Sequence, residues 1–285
     1  MTLLRIAVQK KGRLSEDSLG MIKECGIKVP SAGGNLRAEA YNFPLEFLFL
    51  RDDDIPGYVA DGTADIGIVG DNENAEKEVD VDTVKHLGFS KCRLSIGIPK
   101  SMAYDGPKDL EGKKIATSYP NILRKWLEEK NINAKIHEIS GSVEIAPGIG
   151  LADAICDLVS TGSTLISNGL KEAEVIFKSD AVLIANKTLA GEKKAILEKM
   201  LFRIEAVMEA RSFKYITMNA PNESIDDVIA LLPGVKSPSI APLAQKGWSS
   251  IHSVVDENEF WPVIEGLKNA GAEGILVLPI EKIIR

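Results

Sequence analysis

Short apolar runs that end in polar or charged clusters recur along the first two thirds of this 285-residue chain. That is the pattern of buried strands feeding loops. Residues 3–8 form the first, followed by Gln9-Lys10-Lys11-Gly12-Arg13 and a helix capped by Ser15 and stopped at Gly26. Residues 45–50 read as one apolar run, with Arg51-Asp52-Asp53-Asp54 behind it and Ile55-Pro56 opening a short helix. Further strands are expected over 62–71, 92–98, 114–117 and 134–139, with an amphipathic helix over 121–130. Residues 154–159 are a mostly apolar strand, a Ser/Thr/Gly cluster follows, and a helical pattern begins with Leu165, Ile166 and Leu170. One or two strands over 174–184 return the chain to its first part, and a long helix covers 192–211.

Beyond residue 212 the pattern changes. A strand at 213–218, a helix at 224–232, two strands within 239–255 turning at Lys246-Gly247, a helix at 257–270 and a strand at 274–278 give the order βαββαβ. This is the ferredoxin-like split motif. Upstream, the phrase G-x-A-D followed by a strand occurs at Gly62 and again at Gly150, about ninety residues apart. Two α/β lobes of similar design with a cleft between them account for the repeat, and so does chance likeness of two βα junctions.

Composition narrows the class. Hydrophobic residues at 45% and charged residues at 26% describe a globular chain without low-complexity tracts. A net charge of −7 argues against a nucleic-acid or anionic-membrane partner, so a bound anion must meet a local cluster of donors. The N-terminal residues lack the order of a secretory signal and no apolar run is long enough to span a membrane, so a cytoplasmic protein is expected. Cys25, Cys92 and Cys156 are scattered, as are His86, His137 and His252. Their spacing suits packed thiols rather than a disulfide or zinc framework, and any metal should arrive with a substrate.

Candidate chemistry gathers at strand ends. Ser160, Thr161, Gly162, Ser163 and Thr164 follow the 154–159 strand and open a helix, a turn whose N–H groups, hydroxyls and helix dipole suit a phosphate. Asp157, the one charged residue of that strand, is placed to accept hydrogen bonds from ribose hydroxyls. Capping alone explains such a cluster equally well. Lys10, Lys11 and Arg13 are candidate anion contacts at the end of the first strand, and Arg51 is aimed toward a cleft from the 45–50 strand. Tyr119 is a candidate for stacking on a base and Glu144 for accepting from a ribose or adenine group, with turn packing the alternative for both.

The stretch A-D-A-I-C-D-L-V-S-T-G-S-T-L-I-S-N-G-L over 152–170 resembles the phosphate loop of the ATP phosphoribosyltransferase family in its long form. Q-K-K-G-R-L-S from Gln9, L-R-D-D-D-I-P from Leu50, A-T-S-Y-P from Ala116 and G-S-V-E-I-A-P from Gly141 match further motifs of that family in the same order. The resemblance implies two lobes like those of periplasmic binding proteins, lobe one over 1–90 and 176–211 and lobe two over 91–175. It also implies an ACT-like regulatory domain over 212–285. The implied reaction joins ATP to 5-phosphoribosyl 1-diphosphate, the first step of histidine biosynthesis, with Mg2+ carried by the substrate.

Under the same resemblance Ser160, Thr161, Gly162, Ser163, Thr164 and Glu144 hold the phosphoribosyl donor, and Arg51 and Asp157 are catalytic. Lys10, Arg13, Asp71 and Tyr119 contact ATP. Histidine, as feedback inhibitor, is held by Asn219, Ser237, Ser239 and Gly274, within a segment 235–243 that matches the family's S-P-[ST]-I-x-P-L phrase. Asn219 stands where some relatives place an acid. Homo-oligomers, dimer and hexamer, are implied as well. A solute-binding or sensor protein on the same two-lobed plan and a catalytically silent regulatory subunit are the rival classes; the missing secretory signal speaks against the first, and the retained Arg13, Arg51 and S-T-G-S-T loop against the second.

Overall fold

A computed structural model describes residues 2–29, 35–232 and 237–284. Two compact units are present, Met1–Gly20 with Ile27–Ile196 and Met21–Gly26 with Leu197–Arg285. The first holds two sheets and the second a third sheet.

The first sheet contains β1 (Leu4–Gln9), β2 (Arg37–Glu39), β3 (Leu45–Leu50), β4 (Ile66–Gly70) and β5 (Val81–His86), in the order β2-β3-β1-β4, then a later strand, then β5. β1 lies parallel to both β3 and β4, so the loops after all three emerge at one end of the sheet. Helices α1 (Arg13–Glu24), α2 (Ile55–Ala60) and α3 (Asp71–Lys77) start there. Ser15 is not the cap of α1: the helix already begins at Arg13, behind Gly12 at φ +102°, and Ser15 is buried within its first turn. Nor is β3 wholly apolar. Its Glu46 is buried and neutralised by Arg37 of β2, a strand the hydrophobic pattern did not announce because it is short and half exposed. β5 escaped for the same reason, as an edge strand with polar residues outward.

The second sheet is built from β6 (Cys92–Pro99), β7 (Lys114–Thr117), β8 (Lys135–Glu138), β9 (Ala154–Val159) and β10 (Leu170–Ser179), with α4 (Pro120–Lys130) and α5 (Ser163–Ser167) following β7 and β9. Its order is β10-β6-β9-β7-β8, which puts β9 at the centre. β10 stays paired with β6 as far as Ser179 opposite Cys92. The crossing to the first sheet therefore falls at Asp180, after the 175/176 boundary expected from the sequence, because backbone pairing and not the apolar pattern ends the strand. β11 (Ala181–Asn186) then runs antiparallel to β4 and β5 in the first sheet.

The repeated G-x-A-D phrase performs one task twice. Gly62 and Gly150 take φ +78° and +75°, values that suit glycine. Three residues on, Asp65 Oδ2 accepts the Arg5 N–H at 2.8 Å and Asp153 Oδ2 accepts the Lys114 N–H at 2.8 Å. The Asp65 and Asp153 N–H groups return bonds to the Arg5 and Lys114 carbonyls. Each aspartate thus ties the start of a central strand to its parallel neighbour.

The second unit carries α6 (Gly191–Arg211) from Leu197 on, then β12 (Phe213–Pro221), α7 (Ile225–Leu231), β13 (Ser239–Pro242), β14 (Trp248–Asp256), α8 (Glu257–Asn269) and β15 (Glu273–Pro279). The order β13-β14-β12-β15 is that of the expected βαββαβ fold. Ile216, Met218, Ala220, Ile251 and Val255 form its core with Val228 of α7 and Leu267 of α8.

Where the two sheets of the first unit are joined, Asp180 Oδ1 receives His86 Nδ1–H at 2.8 Å and Oδ2 accepts the Gly88 N–H at 3.0 Å. The bond to Asp180 raises the pKa of His86. Protonated His86 is favoured in the folded chain, so its stabilising contribution is full below about pH 6.5 and is lost as pH rises through the higher folded value. In an NMR titration the His86 midpoint should lie above about 6.5 and fall in Asp180→Asn; a midpoint indifferent to that substitution refutes the assignment.

Candidate functional site

β9 is flanked on both sides, so its carboxyl end is held by β6 and β7 together. Ala154, Ile155, Cys156 and Val159 are buried, and Asp157 is half-buried near the strand's end. Ser160 and Thr161 follow, then Gly162 at φ +82°, and α5 starts at Ser163. Thr161 Oγ1 and Ser163 Oγ share a hydrogen bond of 3.0 Å. α5 has only five residues, so the helix dipole contributes less than its place in the sequence suggests. Loop N–H groups and hydroxyls are the main donors.

A cavity of about 230 Å³ opens here, lined by Glu144, Asp157, Leu158, Val159, Ser160, Thr161, Gly162, Thr164 and Leu165. Glu144 arrives on a single 3-10 turn, Val143–Ile145, launched by Gly141 at φ +78° and Ser142 at φ +50°. Two carboxylates and three hydroxyl side chains therefore share one small space. Burial raises the Asp157 pKa; the Leu158 N–H donated to Oδ1 at 2.8 Å lowers it, and the charge of Glu144 raises it further. Such a set can hold a sugar through its hydroxyls and a phosphate beside them.

The other candidates lie on the first sheet's loops. Lys10 and Arg13 are exposed, Lys10 N–H donating to the Leu50 carbonyl at 2.8 Å and Arg13 lying 3.9 Å from Asp17. Arg51 follows β3 and its side chain is 79% exposed, held by Asp53 at 3.1 Å. Gln9 Nε2 donates to Asp52 Oδ2 at 3.1 Å, joining the ends of β1 and β3, so these basic residues occupy neighbouring loops. Asp71 opens α3 and is partly buried, which raises its pKa.

Tyr119 is placed otherwise than expected. It is 8% exposed, packed in the core of the second lobe, and its hydroxyl donates to Glu73 Oε1 at 2.8 Å. A ring buried in this way offers no face to a base in this conformation. Tyr119 is the N-cap residue of α4, which Pro120 opens immediately after it.

In the second unit, register puts Asn219 of β12 opposite Ser250 and Glu273, while Ser239 of β13 lies opposite His252. A Cβ placed on Gly274 would lie 3.7 Å from Asn219 Nδ2, so these two are neighbours. Ser239 stands across β14 from them, and Ser237 is exposed just before β13. Val235 and Lys236, the start of the expected histidine segment, lie outside the described residues.

Sequence reasoning passed over several groups. Arg93 of β6 donates to the Ser160 carbonyl at 3.1 Å and is paired with Glu172. Asn72, Glu73, Glu76 and Ser179 form polar contacts between α3, α4 and β10. Their signal was faint: Asn72, Glu73 and Glu76 sit in the almost wholly polar helix Asp71–Lys77, which reads as a solvated surface segment, and Ser179 ends a strand rich in charged residues.

Comparison with known proteins places the chain in a family. Residues 51–206 match the family described as ATP phosphoribosyltransferase, and 210–282 match the HisG C-terminal domain. An ATP phosphoribosyltransferase of Cytophaga hutchinsonii is 66% identical over 284 residues, covering 100% of this chain and 99% of the relative. One of Bacteroides thetaiotaomicron is 58% identical over 282 residues, covering 99% and 100%. Among solved structures, the Thermotoga maritima ATP phosphoribosyl transferase (HisG:HisZ) complex aligns at 30% identity and a TM-score of 0.60, covering 71% of this chain and 99% of that one. Among the described residues no helix is long and apolar enough to cross a membrane.

The carboxylate pair has a testable electrostatic signature. The Asp157 carboxyl should titrate above the ordinary aspartate value of about 3.9, and Glu144→Gln should lower that midpoint by removing the like charge. Because the folded chain binds this proton more tightly than the unfolded one, stability is lost as pH rises through the raised value. Asp157→Asn should accordingly raise Tm at neutral pH. Carbon-detected carboxyl titration and calorimetry check both, and an Asp157 midpoint at or below about 3.9 refutes them.

Proposed function

The chain belongs to the ATP phosphoribosyltransferase family, and from that premise we propose that it condenses ATP with 5-phosphoribosyl 1-diphosphate to N1-(5-phosphoribosyl)-ATP and diphosphate, the opening step of histidine biosynthesis in the cytoplasm. The observation that carries this reading is the single cavity in which Asp157 and Glu144 face the Ser160, Thr161, Gly162 and Thr164 loop. The loop takes the 5-phosphate, with Ser163 bracing Thr161. Asp157 and Glu144 accept from the ribose hydroxyls. Magnesium enters with the diphosphate, and carboxylate oxygens at this cavity are the hard donors such an ion accepts.

Charge dictates the rest. As diphosphate departs, the anomeric carbon becomes cationic, and adenine N1 attacks from the opposite face. Catalysis is then alignment together with stabilisation of the leaving group, without a covalent nucleophile. Arg51 supplies the leaving-group contact: its exposed guanidinium is steered by Asp53 and free to turn to a stronger anion. Lys10, Arg13 and Asp71 belong to the ATP side, since they occupy the loops at the end of the first sheet. Tyr119, buried as it is, drops out of that set.

The C-terminal unit is assigned to feedback control by histidine, with Asn219, Gly274, Ser239 and Ser237 as contacts. Its sheet exposes Tyr215, Leu276 and Leu278, an apolar face suited to pairing with further copies in dimers and a hexamer.

Activity is checked by incubating the protein with both substrates and magnesium and following the adenine absorbance; no change sinks the proposal. Arg51→Ala should lower kcat by about 10²-fold or more while ATP binding changes little, and a normal kcat removes Arg51 from catalysis.

Gly162→Val should raise KM for the phosphoribosyl donor well above any change for ATP. The cause is conformational, because φ +82° costs a β-branched residue about 1–3 kcal/mol whereas an added Cβ would only touch Val159 at 3.9 Å. Equal shifts in the two KM values contradict the loop assignment.

Millimolar histidine should inhibit without competing with ATP, by a coupling of about 1–3 kcal/mol, and light scattering should show oligomers. Ser237→Ala/Ser239→Ala should weaken the inhibition. An uninhibited parent, an equally inhibited double variant or a lone monomer overturns the corresponding part.

A further inference from the structure

Ser160 is the hinge-point of the phosphate loop: its carbonyl leaves β9 and its peptide carries the N–H of Thr161. That carbonyl is not left to solvent. Arg93 Nη1–H donates to it at 3.1 Å, from the neighbouring strand β6. The same guanidinium forks onto Glu172 of β10, Nε to Oε1 at 2.5 Å and Nη2 to Oε2 at 2.6 Å. Ser95, 1% exposed in the sheet, donates to Glu172 Oε1 at 2.7 Å and fixes the carboxylate in turn. Arg93 and Glu172 keep 33% and 28% side-chain exposure, so the pair is sheltered without being sealed.

Since the peptide between Ser160 and Thr161 is planar, and no cis peptide is present in the described chain, its C=O and N–H point in opposite directions. Holding the carbonyl toward β6 therefore aims the Thr161 N–H away from Arg93. We infer that the Ser95–Glu172–Arg93 chain is a positioning strut that locks the Ser160–Thr161 peptide so that its N–H is presented to the donor's phosphate. Arg93 is a positioning residue: three of its five N–H groups are committed to this chain, two to Glu172 and one to the Ser160 carbonyl. The inference rests on reading residues 160–164 as the phosphate loop.

The sign of one substitution separates the strut from direct binding. If Arg93 positions the loop, Arg93→Ala and Glu172→Gln both raise KM for the phosphoribosyl donor by about tenfold, the loss expected from one charge-assisted hydrogen bond. ATP KM stays unchanged, and the double variant is no worse than either single one, since both cut the same chain of bonds. Binding of ribose 5-phosphate by calorimetry should weaken in parallel, and Arg93→Lys, which keeps the charge, covers the case in which Arg93→Ala does not fold. If Arg93 instead bound the phosphate, Glu172→Gln would free the guanidinium and lower the donor KM; that result, equal shifts for both substrates, or additive effects overturns the inference. Gly162→Val serves as the reference for the loop. Should it raise donor KM while the strut variants do not, the loop reading stands and the strut falls; should none of them act, both fall.

Discussion

The carboxylate of Glu76 is the contact on which the arrangement of the first unit depends. It is a buried charge on α3, a helix of the first sheet, and its oxygens accept the N–H groups of Asn121 at 2.9 and 3.1 Å and of Ile122 at 3.0 Å, the first turn of α4 in the other lobe. Asn121 Nδ2 also reaches the Glu76 carbonyl at 2.9 Å. Burial raises the Glu76 pKa and these N–H bonds lower it, so the second lobe supplies the solvation that burial removes. A helix start has unpaired donors and a buried carboxylate has unpaired acceptors. Each resolves the other, and neither lobe could bury its half alone.

A second buried set repeats the logic a few ångströms of chain away. Asn72 N–H donates to Ser179 Oγ at 3.0 Å while the Ser179 hydroxyl donates back to Asn72 Oδ1 at 2.8 Å. Asn72 Nδ2 donates to Tyr119 Oη at 3.3 Å, and the Tyr119 hydroxyl donates to Glu73 Oε1 at 2.8 Å. With the members of the set mutually satisfied, removing one leaves a buried partner orphaned at a cost of about 1–3 kcal/mol. The strand ends that carry Lys10, Arg51 and Asp71 are thereby held in a defined relation to the loop after β9. On the proposed function, which requires anions and a sugar to be placed precisely, that placement is set by polar contacts remote from them.

Most of the architecture was legible because strands buried on both faces, such as β9 and β11, announce themselves as apolar runs. The stop of the first helix at Gly26 was equally plain, and the helix expected over 121–130 starts one residue earlier, at Pro120. The G-x-A-D repeat was legible as a pattern, and its cause, a carboxylate stitching parallel strands together, needed coordinates. What escaped follows a rule. Edge strands β2 and β5 expose one side and lose their pattern, and the 175/176 boundary missed Asp180 because nothing apolar marks where pairing with β6 ends. Tyr119 left two readings open, because an aromatic residue at a strand end looks the same from the sequence whether it faces a ligand or a neighbouring helix, and the structure packs it.

The candidate site shows the opposite economy from the lobe joint. Asp157 sits with its pKa raised by burial and by Glu144, receiving a backbone N–H from Leu158 as partial relief. Gly162 takes a left-handed φ that other residues resist, and Glu144 rides a turn launched by Ser142 at a positive φ of its own. The like charges of Asp157 and Glu144, the first of them half-buried, do not by themselves favour the fold. They are tolerable because β9 lies between β6 and β7, with Cys156 beneath the site fully buried and paired in register with Ile96 and Thr117. A central strand flanked on both sides can carry that charge near its tip, where an edge strand is held from one side only.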